Sequence, residues 1–544
     1  MSVDSTTRES PRNPSPQGSS LGALAVGFGI FCSRIAGLVR DRVFAHYLGN
    51  SDAADAFRAA FRIPNLLQNL FGEGSLSAAF IPAYAKLRAE GNESEAREVA
   101  AGVAATLGLI TAVLVAVGVV AAPVLVAVIA PGFSGEKRDL TVQLVRILFP
   151  GAGLLVGSAW CLGILNSHRR FLIPYLAPVF WNLIIIVALL VWGPRVGQAS
   201  LAAVCAWASV AGSALQFGVQ LPAALRLAGT LRPAFNWTLA SMRKLLTNFV
   251  PALFGRGVAQ VSAFVDEILA SLLPTGAVAA FSYAQTLYVL PVSLFGMAVS
   301  ASELPEMSSM VGGKTEVAAK LAARLNGGLH RIAFYVVPSA MAFLVLGDVV
   351  VGAIYQTGQF RRGDVLYVWG ALAGSAVGLL AATMGRLYAS AFYALHDTRT
   401  PLRFAILRLS LTAALGGVAA LLLPGWLGIA PRWGVAGLTA SAGVAAWVEF
   451  ALLRRALNRE IGNTGVSAWV VARLWLAAGL AAAAGFGVKV LLPAWHPIPL
   501  AVAVLGTYGV GYFVLTFAFG IDESLQTLRQ VLRRLTGRRG NKAG

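Results

Sequence analysis

The chain has 544 residues, of which 57% are hydrophobic and only 12% charged, and its mean hydropathy is +0.71. An ordinary soluble domain carries about 25% charged residues, so a water-soluble enzyme, a disordered scaffold and a disulfide-rich secreted module are all excluded. The excess of 43 Lys and Arg over 24 Asp and Glu gives a net charge of +19. Aromatic and basic recognition stretches are absent, so no nucleic-acid partner is expected; in a chain that lives in the bilayer, basic residues collect in cytoplasmic loops. Cys32, Cys161 and Cys205 lie in apolar runs, and an odd number there implies neither a disulfide framework nor a zinc site.

Residues 1–20 are polar and rich in Pro and Ser, without the apolar core of a cleaved signal, and read as a disordered cytoplasmic tail. A bilayer core of about 30 Å needs about 20 apolar residues per helix. Gly, Pro and charge clusters divide the rest into about fourteen such units. They start near Leu21, Ala53, Val99, Leu140, Phe171, Leu201, Met242, Val278, Ile332, Leu366, Pro401, Val435, Val466 and Pro499. The fold class is therefore an all-α polytopic membrane protein. Alternate loops carry the richer basic sets, among them Arg169 with Arg170 and Arg399 with Arg403, and are assigned to the cytoplasm. Lys137 with Arg138 and Arg361 with Arg362 fall on the other side, and both termini are cytoplasmic. The basic stretch 521–544 reads as a cytoplasmic tail on the anionic leaflet.

The sequence repeats itself at a near-constant offset, the one that separates Pro64 from Pro291. Ala45 opens a stretch resembling that at Ala270, Ala130 one resembling that at Gln356, and Leu165 one resembling that at Leu395; Pro82 corresponds in the same way to Pro305. The implied organisation is an amino-terminal six-helix lobe at 21–228, a cytoplasmic linker at 229–241, a second six-helix lobe at 242–457 and two extra helices at 466–520. An even number of spans makes the copies parallel repeats, whose binding sites lie between the lobes around a central cavity.

Charges within apolar runs define the candidate site. Arg34 lies fourteen residues into the first helix, roughly 20 Å along it, and Arg40 and Asp41 follow. The second unit adds Asp55, Arg58, Arg62 and Glu73, the seventh span Arg256, Asp266 and Glu267, and the eighth Glu303 and Glu306. Buried charges are expensive in lipid unless they pair or face a polar cavity. Guanidiniums lining such a cavity favour an anionic substrate, above all a phosphate or diphosphate. Gly72, Gly74 and Ser75, bracketed by Pro64 and Pro82, read as a bent gating helix. Enzyme signals are poor: Gly313, Lys314 and Thr315 end like a P-loop, but Ser308 stands where its first glycine belongs. The five histidines form no paired ligand spacing, so no metal and no cofactor are expected.

The stretch "SRIAGLVRDRVFAHYLGNSDAADAFRAAFRIPNLLQNLFGEGSLSAAFIPAYAKL", Ser33–Leu87, resembles the signature of the MurJ (MviN) lipid II flippases, within the multidrug, oligosaccharidyl-lipid and polysaccharide exporters. The similarity runs on through Tyr283-Ala284, Leu290-Pro291, Gly358 with Phe360, and Thr400-Pro401. It implies fourteen helices, the last two forming a groove for a lipid tail. It also implies transfer of an undecaprenyl-diphosphate-linked glycopeptide lipid from the inner to the outer leaflet of the bacterial inner membrane by alternating access. The cell-wall synthesis machinery is the implied partner, and sodium or a proton the implied coupling ion. Arg34 and Arg40 match cavity arginines of the family; Asp55 and Glu73 match acidic positions near its gate. Gln68 and Thr286 stand where the family has arginines, and Arg62 and Arg256 are the candidates to compensate. Asp266 matches a possible ion position, while Arg408 and Ser410 stand where an amide or acid would complete it. The alternative readings are a flippase for another polyprenyl-diphosphate glycan and a multidrug antiporter of the same fold.

Overall fold

The computed structural model describes residues 16–71, 73–229, 264–310, 313–493 and 495–525, together with 237, 239, 241–243, 245, 247 and 249. These residues contain helices and no strand. The order is α1 (Pro16–Leu48), α2 (Asp52–Phe71), α3 (Glu73–Ala89), α4 (Glu93–Val120), α5 (Ala122–Ile129), α6 (Gly135–Ser167), α7 (Leu172–Trp192) and α8 (Gln198–Ala228). After α9 (264–271) come α10 (Ala277–Pro291), a π-helical turn (Val292–Met297), α11 (Ala298–Ser308), α12 (Lys314–Val345), α13 (Gly347–Tyr355), α14 (Arg362–Val377) and α15 (Leu379–Ala394). Then follow α16 (Arg399–Gly417), α17 (Leu423–Trp426), α18 (Gly434–Ile461), α19 (Ala468–Leu491) and α20 (Pro497–Ala518). Among the described residues ten helices are long and apolar enough to cross a membrane, or eleven with the pair α14–α15, which bends by 43°. That criterion does not reach the fourteen spans counted from the sequence.

The offset between Pro64 and Pro291 reappears, to the residue, in the helix bounds. It separates the start of the unbroken α6 at Gly135 from that of the pair α14–α15 at Arg362, and their ends at Ser167 and Ala394. It also separates the starts of α7 and α16, at Leu172 and Arg399. Arg169 (φ 57°) and His396 (φ 61°), once more at this offset, are the two non-glycine residues in the left-handed region among those described. A side chain there is disfavoured, so two such turns in register are a conformational copy and not only a compositional one.

The chain divides into two compact units, neither of them continuous: Met1–Arg40, Phe61–Ala122 and Gln143–Gln260 form one, and Asp41–Ala60, Pro123–Val142 and Val261–Gly544 the other. In the first unit, Phe80, Tyr84, Trp160, Cys161 and Ile164 build a buried core. The Trp160 indole N–H is satisfied by the Ala100 carbonyl at 3.2 Å. Gly29 lets α1 approach α7 closely: a Cβ there would sit 2.6 Å from that of Tyr175.

In the second unit, proline chemistry fastens α20 to α12. Pro338, inside α12, has no N–H for the carbonyl four residues earlier. That carbonyl, of Phe334, instead accepts the Tyr512 hydroxyl at 2.7 Å, and the Pro338 carbonyl accepts Tyr508 at 2.6 Å. An unpaired carbonyl in lipid costs several kcal/mol, so the proline creates the demand that Tyr512 meets, and Tyr508 adds a second tie one turn further on.

Candidate functional site

Within the second unit, the end of α1 and the start of α2 carry a dense set of charges. Asp41, 3% exposed, accepts a hydrogen bond from Arg58 Nη2 at 3.1 Å. The Arg58 guanidinium lies over the rings of Phe44 and Tyr283, at 4.8 and 4.9 Å from their centroids. The Thr286 hydroxyl stands 3.4 Å from the second Asp41 oxygen and 3.1 Å from the Ser282 carbonyl, so its one proton serves one of two acceptors. Next along α1, Arg42 donates to the Ala353 and Ile354 carbonyls, both at 2.7 Å. It thereby meets two of the carbonyls left open at the end of α13.

Asp55 is the second centre. It is 1% exposed and accepts Lys137 Nζ at 2.6 Å, the Gly276 N–H at 2.7 Å and the Ala279 N–H at 2.8 Å. Helix α10 starts after Gly276, which has no side chain to cap it, and the carboxylate of Asp55 takes that place from a distant part of the chain. Gly276 is required there twice over: its φ is +86°, and a Cβ would lie 2.7 Å from the Asn50 carbonyl oxygen. Asp52 adds a second carboxylate to Lys137 at 2.9 Å and accepts the Thr275 hydroxyl at 3.0 Å.

Within the first unit, Arg34 is exposed on α1. Arg40 places its guanidinium 5.0 Å from the centroid of Trp181 on α7. Arg62 is half-buried on α2. Gln68 lines a small gap in which Asn65, Ser209 and Ser213 stand among mostly apolar neighbours, an uncharged setting that suits an amide. Gly72 and Arg256 lie outside the described residues, as do the side chain of Glu73 and the surroundings of Gly74. Around that position α2 ends at Phe71 and α3 begins at Glu73.

Other charges of the apolar runs lie elsewhere in the second unit. Glu303 accepts Arg324 Nε at 2.7 Å and also pairs with Arg331, while Arg324 reaches Glu306 at 3.4 Å. Asp266 is half-buried and Glu267 buried on α9. Arg408 pairs with Glu449 at 3.0 Å. Among the described residues no three His, Cys, Asp or Glu side chains cluster as a metal site requires.

On sequence alone Lys137 is an ordinary loop residue, and the structure buries it between Asp52 and Asp55. One signal points to it: a lysine on a loop assigned away from the cytoplasm runs against the charge rule and so calls for an acidic partner. Asp348 and Lys489, which share a cavity with Arg362, each stand alone in an apolar run, a signal of the kind that singles out Arg34, but the sequence does not show that they pair.

The family model described as lipid II flippase MurJ matches residues 44–506. A probable lipid II flippase MurJ of Vibrio cholerae serotype O1 is 29% identical over 459 residues, 82% of this chain and 84% of that protein. The lipid II flippase MurJ of Burkholderia cenocepacia is 32% identical over 438 residues, 79% of this chain and 81% of its own length. Among solved structures, a lipid II flippase MurJ in an inward closed conformation superposes with a TM-score of 0.74 at 22% identity, covering 92% of this chain and 99% of that one.

Proposed function

Because the chain belongs to the MurJ lipid II flippase family, we propose that it is itself a lipid II flippase. In this reading it moves the undecaprenyl-diphosphate-linked peptidoglycan precursor from the inner to the outer leaflet of the bacterial cytoplasmic membrane by alternating access. It acts as a transporter and not as an enzyme, with both termini in the cytoplasm, and it hands its product to the cell-wall synthesis machinery. The observation that carries the reading is the family match over 44–506. It is supported by Arg34, an exposed guanidinium on a helix rich in apolar residues. A charge in that setting defaults to function, and the planar fork suits a diphosphate.

Thr286 supports the same reading in spite of replacing an arginine. It faces Asp41, and Arg58 already supplies the guanidinium that Asp41 requires. The family charge is in this view carried from α2 instead of α10. No cofactor enters the proposal, and transport is coupled to a sodium or proton gradient; dissipating each in turn during a transport assay identifies which.

The test is complementation of a bacterial strain depleted of its own lipid II flippase. The chain restores growth; Arg34→Ala does not, although it accumulates in the membrane and unfolds at the parental temperature. Normal membrane abundance of the unaltered chain without restored growth would overturn the proposal.

A further inference from the structure

Near the carboxy-terminal end of α18, in the second unit, a cavity of about 400 Å³ is lined by Phe450, Ala451, Arg454, Arg455, Asn458 and Arg459. Residues three and four apart share one side of a helix, which brings the three guanidiniums together. All three arginines are exposed, and among the described residues no carboxylate lines the cavity.

Two of the lining side chains are fixed by the turn that follows the helix. Arg454 Nε donates to the Thr464 carbonyl at 2.9 Å. Gly465, at φ 129°, leaves room for that guanidinium: a Cβ there would lie 2.7 Å from Arg454 Nη2. The Gly465 N–H donates in turn to Asn326 Oδ1 of α12 at 2.8 Å, which holds the turn in place. Asn458 Oδ1 accepts the Thr464 N–H at 3.1 Å and the Thr464 hydroxyl as well. A backbone N–H can only donate, so this bond sets which way the amide faces, and both lone pairs of its oxygen are taken. What Asn458 has left to give is its NH2 group. The polar side chains of the cavity therefore offer donors and no acceptor, the complement of a phosphate, whose oxygens the guanidinium fork matches.

The dipole of a helix end favours basic residues and accounts for Arg459 in the last turn. It does not account for the glycine that cradles Arg454, nor for the amide turned by Thr464. The spans Pro431–Ile461 and Ala468–Leu491 are both long and apolar enough to cross a membrane, so the turn between them marks a membrane boundary. Trp447 and Trp469, before and after it, are exposed, as aromatic rings at the lipid–water interface are. The arginines thus lie at the depth of phosphate headgroups, within reach of the aqueous phase.

We propose that this cavity binds a phosphate group, held by Arg454, Arg455 and Arg459 and by the NH2 group of Asn458. The phosphate belongs either to a phospholipid headgroup or to a soluble phosphate compound, and the arms of the test separate the two. The site takes no residue from α1, α2, α19 or α20 and does not depend on the flippase reading.

The test is calorimetric titration of the full chain in detergent with three probes. Short-chain phosphatidylglycerol carries phosphate and chains, glycerol 3-phosphate the phosphate alone, and the matching diacylglycerol the chains alone. The tighter phosphate probe binds about tenfold or more tighter than diacylglycerol. Phosphatidylglycerol ahead of glycerol 3-phosphate by about tenfold or more names a headgroup as the source, and a smaller difference names a soluble compound; either result supports the site. Arg455→Gln weakens the tighter probe about tenfold, and adding Arg459→Gln weakens it further. Asn458→Asp keeps the acceptor for Thr464 but replaces the NH2 donor by a carboxylate oxygen, and also weakens binding about tenfold or more while unfolding at the parental temperature. Other basic surfaces contribute alike to parent and variants, so the site is read from the difference. If Asn458→Asp does not fold, the two arginine variants, at exposed positions, decide. No binding of either phosphate probe, diacylglycerol binding as tightly as both, or unchanged binding in the folded Arg455→Gln, Arg459→Gln double variant overturns the proposal.

Discussion

Two helices at equivalent places in the duplication, α6 from Gly135 and α14 from Arg362, each bring a cation in their first turn to a buried aspartate. They do so with opposite surplus. Lys137 of α6 faces two acids, Asp52 and Asp55. Arg362 of α14 shares one acid, Asp348, with a second cation, Lys489. In the first copy the surplus negative charge is absorbed within the protein, by the N–H groups at the start of α10 and by the Thr275 hydroxyl. In the second copy the surplus positive charge meets a cavity. A duplicated framework therefore yields an enclosed lock at one place and a cation surplus open to a cavity at the other, and the sign and count of charges make the difference.

The largest expected effect is that of Asp55→Ala. It leaves Lys137 only the more exposed Asp52 and uncaps α10, and removing one partner of a buried pair typically costs about 3–5 kcal/mol. Asp348→Ala is expected to cost clearly less, because Arg362 is half-exposed and the cavity lets water reach the freed cations. Thermal unfolding of both variants in detergent checks the order; equal losses break the comparison.

Arg58→Ala comes next, at about 3 kcal/mol, since it leaves Asp41 buried without its cation. Adding Thr286→Arg is expected to recover about half of that loss by offering a guanidinium from α10, where the hydroxyl of Thr286 already faces Asp41. No recovery in the unfolding curve would mean that position 286 cannot serve Asp41.

A smaller contrast tests the duplicated turns themselves. Gly49 and Gly276, again equivalent in the two copies, both have positive φ, but a Cβ would lie 3.1 Å from the Gln359 carbonyl oxygen at Gly49 and 2.7 Å from that of Asn50 at Gly276. Alanine at Gly49 should cost about 1 kcal/mol, and at Gly276 about 2 kcal/mol. The same unfolding measurement ranks them.

The smallest effect is a difference in pH range between the turns at Arg169 and His396. Burial, reinforced by Arg88, holds His168 below the ordinary histidine value of 6.5, with its Nε2 3.2 Å from the Tyr84 hydroxyl. Its contribution is complete above about 6.5 and is lost as the pH falls below that through the depressed value. Asp397 is held below 3.8, first by the Thr400 side chain and then by the backbone N–H groups of Thr400 and Arg399. Its contribution persists until far more acid conditions. Hydrogen-exchange protection, corrected for the intrinsic rate at each pH, should fall from pH 7.5 to 5.5 at residues 168–170 and stay level at 395–398.

Much of this framework is legible in the sequence, because helices in lipid are announced by their apolar runs. The runs at Leu172 and Ala468 can be placed within a few residues, and the duplication can be found by self-comparison. The family resemblance rests on residues that are local in sequence, from Ser33 to Leu87. What is not legible is pairing across long separations. Asp55 and Gly276 meet over 221 residues, and Asp348 and Lys489 over 141; nothing periodic links them. Segments 41–60 and 123–142 group with 261–544 for the same reason. The replacement of an arginine by Thr286 is visible as a departure, but only the nearness of Asp41 and Arg58 gives it a physical sense.

The proline of α12 has a consequence for the order of synthesis. Phe334 leaves the ribosome 178 residues before Tyr512, the group that satisfies its carbonyl. At about 5–20 residues per second that separation lasts roughly 10 to 35 s. Through this interval α12 enters the bilayer with an open acceptor in its middle, and water or the insertion machinery must occupy it until α20 arrives. A helix made late is thus the one that completes a helix made long before, and a nascent chain released before α20 exposes an unmet polar group by which quality control can recognise it.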